Sequence, residues 1–251
     1  MQDHHRPGFY PAPGAKLLVL FVHGFLGGPG QFQNLVRAVN EAGFAAETLL
    51  LPGHGKSAWD FARHPLREWQ AEVNAALKRR LSQYEKVVLM GHSMGGLLSV
   101  SAFLQEGPAH GLVLWEAPMR LRTTLAGLRN DLAVALLPQK WHNAVAQAYR
   151  QAANVRFYTP AGYLLTVPRT PDLFRLMVRT RRELQRVRGP VLLIQSDADE
   201  IVHPDSLSRL TAGFSNAEVT VLRLAASWHA YVPTAEQDLL RKRLVAWLET
   251  V

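Results

Sequence analysis

The sequence contains a serine, an aspartate and a histidine of the types that, if folded together, could act on a carbonyl carbon. Ser93 is the centre of a Gly-His-Ser-Met-Gly segment, Asp199 follows a later apolar run, and His229 lies near the C-terminus. A serine hydroxyl becomes a good nucleophile when a histidine takes its proton, and a carboxylate fixes the tautomer of that histidine. This combination indicates acyl transfer through a covalent serine intermediate.

The residues around Ser93 predict a strand, a sharp turn and a helix. Four apolar residues at 87–90 lead into Gly91, and an apolar stretch suited to a helix begins after Gly95. A serine in a Gly-x-Ser-x-Gly turn of this kind is lifted clear of the backbone. We expect glycine at both positions because a side chain there would collide with the neighbouring strand or helix. The alternative interpretation is a glycine-rich turn that merely ends a strand.

Apolar runs and helical patterns alternate along most of the chain, which predicts an α/β fold. We predict a mainly parallel sheet of about six core strands with helices on both faces. The predicted core comprises residues 16–118 and 188–251, preceded by a proline- and glycine-rich N-terminal arm at 1–15. The alternation stops at 119–187, where we predict a helical cap inserted after the fourth core strand.

The composition excludes several classes of protein. The 251 residues suit one large domain, and the lack of cysteine excludes disulfides and thiolate metal sites. The glycine-rich loop at 23–30 matches neither of two nucleotide-binding patterns, Gly-x-Gly-x-x-Gly and Gly-x-x-x-x-Gly-Lys-Ser/Thr. No cluster of histidines and carboxylates has metal-ligand spacing. We therefore expect no cofactor and no metal. Without an apolar run of membrane-spanning length or a signal-like start, a cytoplasmic location is expected.

Positive charge is concentrated in the predicted cap. Residues 118–188 carry a net charge of +10, whereas the rest of the chain carries −2. Arginines on the outside of a cap could attract an anionic surface or an acidic substrate, or they could form a solvated face. Without a recognisable binding motif, the charge does not predict nucleic-acid binding. Stable insertion into a membrane is not expected either.

Several segments match a known family. They are residues 23–25, 51–57, 91–96 and 199–204, together with His229. Through them the chain resembles the α/β-hydrolase superfamily, and within it the carboxylesterases and monoacylglycerol-lipase-like serine hydrolases. The resemblance covers nearly everything except the arm and the cap. It implies a serine esterase acting on small-molecule acyl esters of short to medium chain length, with monoacylglycerols among the candidates.

The same serine, histidine and aspartate are compatible with functions other than ester hydrolysis. The fold hosts many chemistries, so thioester, amide or carbon–carbon bond hydrolysis and acyl transfer are alternatives. A ligand receptor built on this fold is a further alternative. An ester panel and labelling by a serine-reactive probe would discriminate among them.

The resemblance implies roles for the triad residues. Ser93 would be the nucleophile, and His229, in the loop between the last strand and the last helix, would be the base. Asp199 is the predicted acid because the residues that follow it match the acid loop of the family. Asp197 lies after the same strand and is an alternative, and Glu116 is a third candidate.

The resemblance also implies residues that would contact the reacting ester. The backbone N–H groups of Phe25 and Met94 would form the oxyanion hole. Trp228, Leu26 and Trp141 are predicted to contact substrate. The family commonly has glycine just before the catalytic histidine, so we expect the indole of Trp228 to line or narrow the pocket.

Overall fold

A seven-stranded sheet forms the centre of the molecule. The computed structural model describes residues 5–107, 109–157 and 160–251. Its strands are β1 (Gly8–Tyr10), β2 (Leu17–Val22), β3 (Ala45–Thr48), β4 (Lys86–His92), β5 (Gly111–Trp115), β6 (Gly189–Ser196) and β7 (Ala217–Leu224). The strand order is β1-β3-β2-β4-β5-β6-β7. Strands β2 to β7 are all parallel, which confirms the predicted α/β architecture.

Strand β1 lies inside the predicted N-terminal arm and forms the antiparallel edge of the sheet. Gly8 pairs with Thr48, and Tyr10 pairs with Ala46. The Arg80 guanidinium lies 4.1 Å from the centre of the Phe9 ring. The sequence did not predict this strand, because three residues among prolines and glycines are too few to show an alternating pattern.

Helices cover both faces of the sheet. They are α1 (Gln33–Glu41), α2 (Ala58–Arg63), α3 (Leu66–Leu81), α4 (Met94–Gln105), α5 (Leu125–Leu136), α6 (Ala144–Ala152), α7 (Thr170–Glu183), α8 (Asp205–Gly213) and α9 (Thr234–Leu248). Alternate residues of β2 enter two different cores: Phe21 packs in the core that holds α1 and α9, and Leu20 in the core that holds α3 and α4. Burial on both faces explains why β2 is a continuous apolar run.

A helical insertion lies between β5 and β6, where the sequence predicts a cap. It contains α5, α6, α7 and 3-10 turns, and within its described part the only β pairings are two isolated bridges to the core. Those bridges join Ser57 to Arg156 and Leu121 to Val202. We refer to residues 119–187 as the insertion.

The turn from β4 into α4 is packed too closely for side chains at its two glycines. A Cβ on Gly95 would lie 2.0 Å from the carbonyl oxygen of Val22, and one on Gly91 would lie 2.3 Å from the backbone of Gly95. Real Cβ atoms do not approach backbone so closely, and the backbone here has no flexible end that could move away. The expectation of glycine at both positions therefore has a direct steric cause.

Replacing Gly95 by alanine should destabilise the fold. We expect Gly95→Ala to lower the free energy of unfolding by at least about 3 kcal/mol, since β2 or α4 must shift to admit the methyl group. Gly162→Ala is the matched control, because a Cβ there would meet its nearest neighbour at an ordinary 3.6 Å. Urea unfolding would measure both. Equal stabilities for the two variants would contradict this account of the turn.

Candidate active site

Ser93 lies at the apex of the turn in a strained backbone conformation. Its φ is +54° and its ψ is −124°, which is rare for a residue with a side chain. The Ser93 N–H donates to the Trp115 carbonyl at 2.8 Å, and the Ser93 carbonyl accepts from the Gly96 N–H at 3.0 Å. These bonds hold the serine between the end of β4 and the start of α4. The Ser93 hydroxyl makes no capping hydrogen bond to the first turn of α4.

His229 and Asp199 form a buried hydrogen-bonded pair. His229 Nδ1 lies 2.7 Å from Asp199 Oδ2, and Asp199 is fully buried. The other carboxylate oxygen, Oδ1, accepts from the backbone N–H groups of Ile201 at 2.8 Å and Val202 at 2.7 Å. Because the carboxylate accepts, Nδ1 carries the proton, and Nε2 of a neutral His229 is left as a base.

The charges of this pair stabilise each other. Burial alone would raise the pKa of Asp199, but the charge of His229 and the hydrogen bonds to the carboxylate lower the pKa to about 2. Burial alone would lower the pKa of His229, and the charge and hydrogen bond of Asp199 outweigh it, so the pKa lies above the usual 6.5. The histidine is therefore a stronger base than an isolated buried imidazole.

The structure places Asp199 and not Asp197 against His229. Asp197 points outward and pairs with Arg223, whose Nε lies 3.2 Å from Asp197 Oδ1. The side chain of Asp197 is 46% exposed. Arg122 donates to the backbone carbonyl of Asp199 at 2.7 Å, which fastens the loop after β6 to the insertion.

His92 joins the serine turn to the histidine loop. Its Nε2 donates to the His229 carbonyl at 2.9 Å, and the two rings lie 4.8 Å apart. Burial, followed by the charge of His229, lowers the pKa of His92 to about 3. A neutral His92 cannot compete with His229 for a proton. Its contribution is to hold the backbone of His229 next to the segment that carries Ser93.

The glycine-rich loop after β2 lies directly against the serine turn. A Cβ on Gly24 would lie 3.0 Å from the Cβ of Ser93. Behind the loop, His23 Nδ1 donates to the Gly24 carbonyl at 3.0 Å and Nε2 accepts from the Leu51 N–H at 3.1 Å. Burial lowers the pKa of His23 to about 4, so this brace stays neutral.

Phe25 and Leu26, the next two residues of the loop, each contact another segment of the chain. The Phe25 ring packs edge-on against Phe61, with ring centres 5.1 Å apart. Leu26 has a φ of +59°, and its carbonyl accepts from the Asn154 N–H at 2.8 Å. The Asn154 carbonyl in turn accepts from the Gly55 N–H at 2.6 Å. Asn154 therefore ties the insertion to two core loops.

The N-terminal segment also joins the insertion to this loop. His5 is buried, with Nε2 2.7 Å from the Gln151 carbonyl of α6. The Gly30 N–H donates to His5 Nδ1 at 3.2 Å. The helix α6 is thus fastened to the core on its side facing the glycine-rich loop.

A cleft of about 780 Å³ lies beside the histidines. Its walls come from α1, α6 and α9 and from the loop after His229, and both His92 and His229 line it. Amide side chains are frequent in the wall, with Gln31, Gln147 and Gln237 among them. The volume lies in the range of small-molecule sites in proteins.

The structure brings most of the predicted site residues to one end of the sheet. Met94 is the first residue of α4 and is fully buried. The side chain of Trp228 is half-buried. The backbone N–H of Trp228 donates to the Tyr231 carbonyl at 2.7 Å, in a turn that contains His229. Trp141 lies elsewhere: it is 68% exposed and borders a groove formed by α5 and its neighbours in the insertion.

Sequence reasoning missed part of the charged environment. Glu200 is buried, and its carboxylate accepts from the His229 backbone N–H at 3.2 Å. Glu116, considered only as an alternative acid, is fully buried and contacts Asp199. The adjacency of two acidic residues at 199–200 was the available signal for Glu200. Among the described residues, no group of three or more potential ligands could hold a metal ion.

The sheet order, the strained serine turn and the helical insertion define an α/β hydrolase, and comparisons with known proteins agree. The model of the Hydrolase_4 family, described as serine aminopeptidase S33, matches residues 13–236. The thermostable monoacylglycerol lipase of Bacillus sp. (strain H-257) is 27% identical over 237 residues, which are 94% of this chain and 91% of that protein. The chain belongs to the Hydrolase_4 family of α/β hydrolases, which confirms the predicted family.

Two further comparisons cover almost the whole chain. The carboxylesterase of Bacillus subtilis (strain 168) is 22% identical over 237 residues, which are 94% of each chain. A solved structure from work on LipS and LipT, two metagenome-derived lipolytic enzymes, has a TM-score of 0.78 and 24% identity over 99% of each chain. That structural likeness supports the fold.

Removing the carboxylate should change the titration of His229. We expect Asp199→Asn to lower the pKa of His229, because burial remains while the stabilising negative charge is lost. NMR titration of the His229 ring protons would measure this change. Asp197→Asn is the matched control and should leave the titration unchanged. A His229 pKa that does not respond to Asp199→Asn would contradict the described pairing.

Proposed function

We propose that Ser93, His229 and Asp199 form a catalytic triad that hydrolyses carboxylic esters through an acyl-enzyme. The single observation that carries the proposal is the buried hydrogen bond between His229 Nδ1 and Asp199 Oδ2 at 2.7 Å. This bond leaves Nε2 of His229 as the base. His92, the residue before Ser93, donates a hydrogen bond to the His229 carbonyl and so holds the His229 backbone near the serine turn. The family membership and the relatives named as a monoacylglycerol lipase and a carboxylesterase support this activity.

The proposed reaction has two halves. His229 takes the Ser93 proton as the hydroxyl oxygen attacks the ester carbonyl, and it then gives that proton to the departing alcohol. Water, deprotonated by the same histidine, next attacks the acyl-serine and releases the acid. Asp199 remains ionised throughout and stabilises the imidazolium that forms in each half.

The negative oxygen formed in each attack needs donors that are already in place. We assign this role to the backbone N–H groups of Phe25 and Met94. Met94 opens α4, whose N-terminus favours negative charge. The Phe25 backbone belongs to the loop in which Gly24 packs against Ser93, and its ring is fixed against Phe61. Both donors therefore belong to segments held by packing on the core.

The proposed substrates are esters of short to medium acyl chains, including monoacylglycerols. The relative named as a monoacylglycerol lipase supports this class. The cleft beside His229, about 780 Å³ in volume, has an amide-rich wall that suits a hydroxylated alcohol, and Ser93 lies outside its lining. Trp228, next to the base, and Leu26, next to the oxyanion loop, would contact the ester, and the insertion would act as the cap.

The outer face of the insertion supports a further proposal, attraction to anionic lipid surfaces. Four leucines of α5 are exposed on one helical face, and Trp141 is exposed beside them; the leucines are Leu125, Leu128, Leu132 and Leu136. Arg129 and Trp141 line the same groove. Apolar surface, an interfacial tryptophan and cations together favour an anionic bilayer surface. None of the helices in the described part of the chain has the length and hydropathy of a membrane span.

Removal of the nucleophile should abolish ester hydrolysis. We expect Ser93→Ala to lower kcat for p-nitrophenyl esters by about 10³-fold or more, leaving only the contribution of the oxyanion hole and binding. Ser101→Ala, at a buried serine of the helix that follows Ser93, is the matched control and should keep its activity. Undiminished hydrolysis by Ser93→Ala would refute the triad.

The pH dependence should report the raised pKa of His229. A protonated His229 cannot accept the serine proton, so kcat/KM should fall on the acid side with a midpoint above 6.5. Initial rates with an uncharged ester over a range of pH would measure the midpoint. A midpoint well below 6.5 would mean that another group, or a differently placed histidine, acts as the base.

Reducing the exposed leucine face should weaken binding to lipid surfaces. We expect the double variant Leu128→Ser/Leu132→Ser to bind phosphatidylglycerol vesicles about tenfold more weakly than the wild type, since half-exposed leucines lose apolar contact with the lipid. Its rate on a water-soluble ester should not change. Leu239→Ser, an exposed leucine of α9, is the control. Equal vesicle binding by all three proteins would argue against this surface.

A further inference from the structure

Three buried carboxyl groups interact with one another, and two of them, Asp199 and Glu200, also interact with His229. Glu116 and Asp199 are fully buried, Glu200 is 3% exposed, and His229 is the basic side chain among them. Three ionised carboxylates so close together would repel one another in a poorly solvated region. This repulsion favours a cluster in which one of the three carboxyl groups is protonated.

Glu116 is aimed into this cluster by an unusual backbone. Its N–H donates to the Ile194 carbonyl at 2.9 Å, which continues the pairing of β5 with β6. Its φ is +51°, a rare conformation for a residue with a side chain. One oxygen of the side chain, Oε2, accepts from Gln195 Nε2 at 2.6 Å. The other, Oε1, is buried and meets no donor among the described residues.

The contact between Glu116 and Asp199 decides where the proton resides. A side-chain hydrogen bond links the two carboxyl groups, and such a bond needs a proton on one of them. Asp199 already accepts from His229 Nδ1 and from two backbone N–H groups, all of which favour its charged form. Glu116 accepts from the Gln195 amide and from the Ser196 backbone, but no cation pairs with it in the part of the chain that the structure describes. This difference favours the proton on Glu116.

The remaining charged groups around the pair agree with this assignment. Glu200, which accepts from the His229 backbone, adds negative charge and so favours a neutral Glu116. Arg122 is directed at the Asp199 carbonyl and not at the side chain of Glu116. His92 is neutral because burial lowers its pKa to about 3.

We propose that Glu116 is a positioning residue that stays a neutral carboxylic acid and donates its O–H hydrogen bond to the Asp199 carboxylate. The proposal rests on the triad proposed above. The donated bond adds one donor to those around Asp199, and it stabilises the carboxylate without adding a third negative charge near His229, beyond those of Asp199 and Glu200. Glu116 acts through Asp199 and makes no contact with the ester.

The protonation state can be read from two amide variants. Glu116→Gln replaces one neutral donor by another, so the acid-side midpoint of kcat/KM should stay where it is in the wild type. Glu200→Gln is the matched comparison: it removes a negative charge that raises the pKa of His229, so it should move the midpoint to lower pH. A midpoint that moves to lower pH in Glu116→Gln as well would show an ionised Glu116 and overturn the proposal.

A variant without a donor tests the positioning role. Glu116→Leu should lower kcat about tenfold or more with KM unchanged, and it should raise the acid-side midpoint, because the less satisfied Asp199 carboxylate holds the imidazolium more strongly. Glu116→Gln should restore kcat. A loss of activity that Gln fails to restore would overturn the role.

A stability measurement tests whether Glu116 is protonated, and it does not depend on enzyme activity. Wild-type protein at neutral pH must take up a proton at Glu116 to fold, because burial and then the Asp199 charge raise the folded-state pKa well above 4.5. Its free energy of unfolding should therefore fall, relative to that of Glu116→Gln, as the pH rises from about 5 to about 8. A difference that is independent of pH would overturn the proposal.

The two proposals fail in different ways. If Ser93→Ala hydrolysed esters normally, the triad would fail, yet the stability difference and the infrared carbonyl band of a protonated carboxyl group would still report on Glu116. If the triad holds and that band is the same in wild type and Glu116→Gln, the inference about Glu116 alone is overturned.

Discussion

The close approach of the serine turn to strand β2 constrains the rest of the site. Gly95 lies so near the Val22 carbonyl that a Cβ would come within 2.0 Å of its oxygen. This contact brings together the end of β2, the end of β4 and the first turn of α4. The glycine-rich loop after β2 consequently lies against Ser93, and a φ of +54° at Ser93 is the conformation that the turn imposes. Strain at this residue is offset by packing throughout two cores.

Electrostatics then determine what the assembled groups can do. One end of the sheet collects His229, Asp199, Glu200 and Glu116 in a region almost without solvent. In such a region a single misplaced charge changes every neighbouring pKa. Backbone N–H groups and His229 hold Asp199 ionised, whereas His23 and His92 are kept neutral by burial. Of these three histidines, His229 alone has a raised pKa.

The sequence predicted those features that depend on local patterns. Buried parallel strands are apolar runs, and the serine turn requires glycines at fixed spacing, so the six parallel strands and the Ser93 turn were predictable. Strand β1, the position of His5 under α6, and the link from Asn154 to Leu26 depend on contacts between distant segments. The exposed position of Trp141 has the same cause, since an apolar residue in a helical segment indicates burial without showing against what.

We propose that Ser93 carries an activated hydroxyl group. The most direct measurement is reaction of the native protein with a fluorophosphonate, followed by mass spectrometric identification of the modified peptide. We expect one adduct, on Ser93, and none after denaturation, because activation depends on the folded arrangement with His229. An adduct on any other residue, or an unmodified native protein, would contradict it.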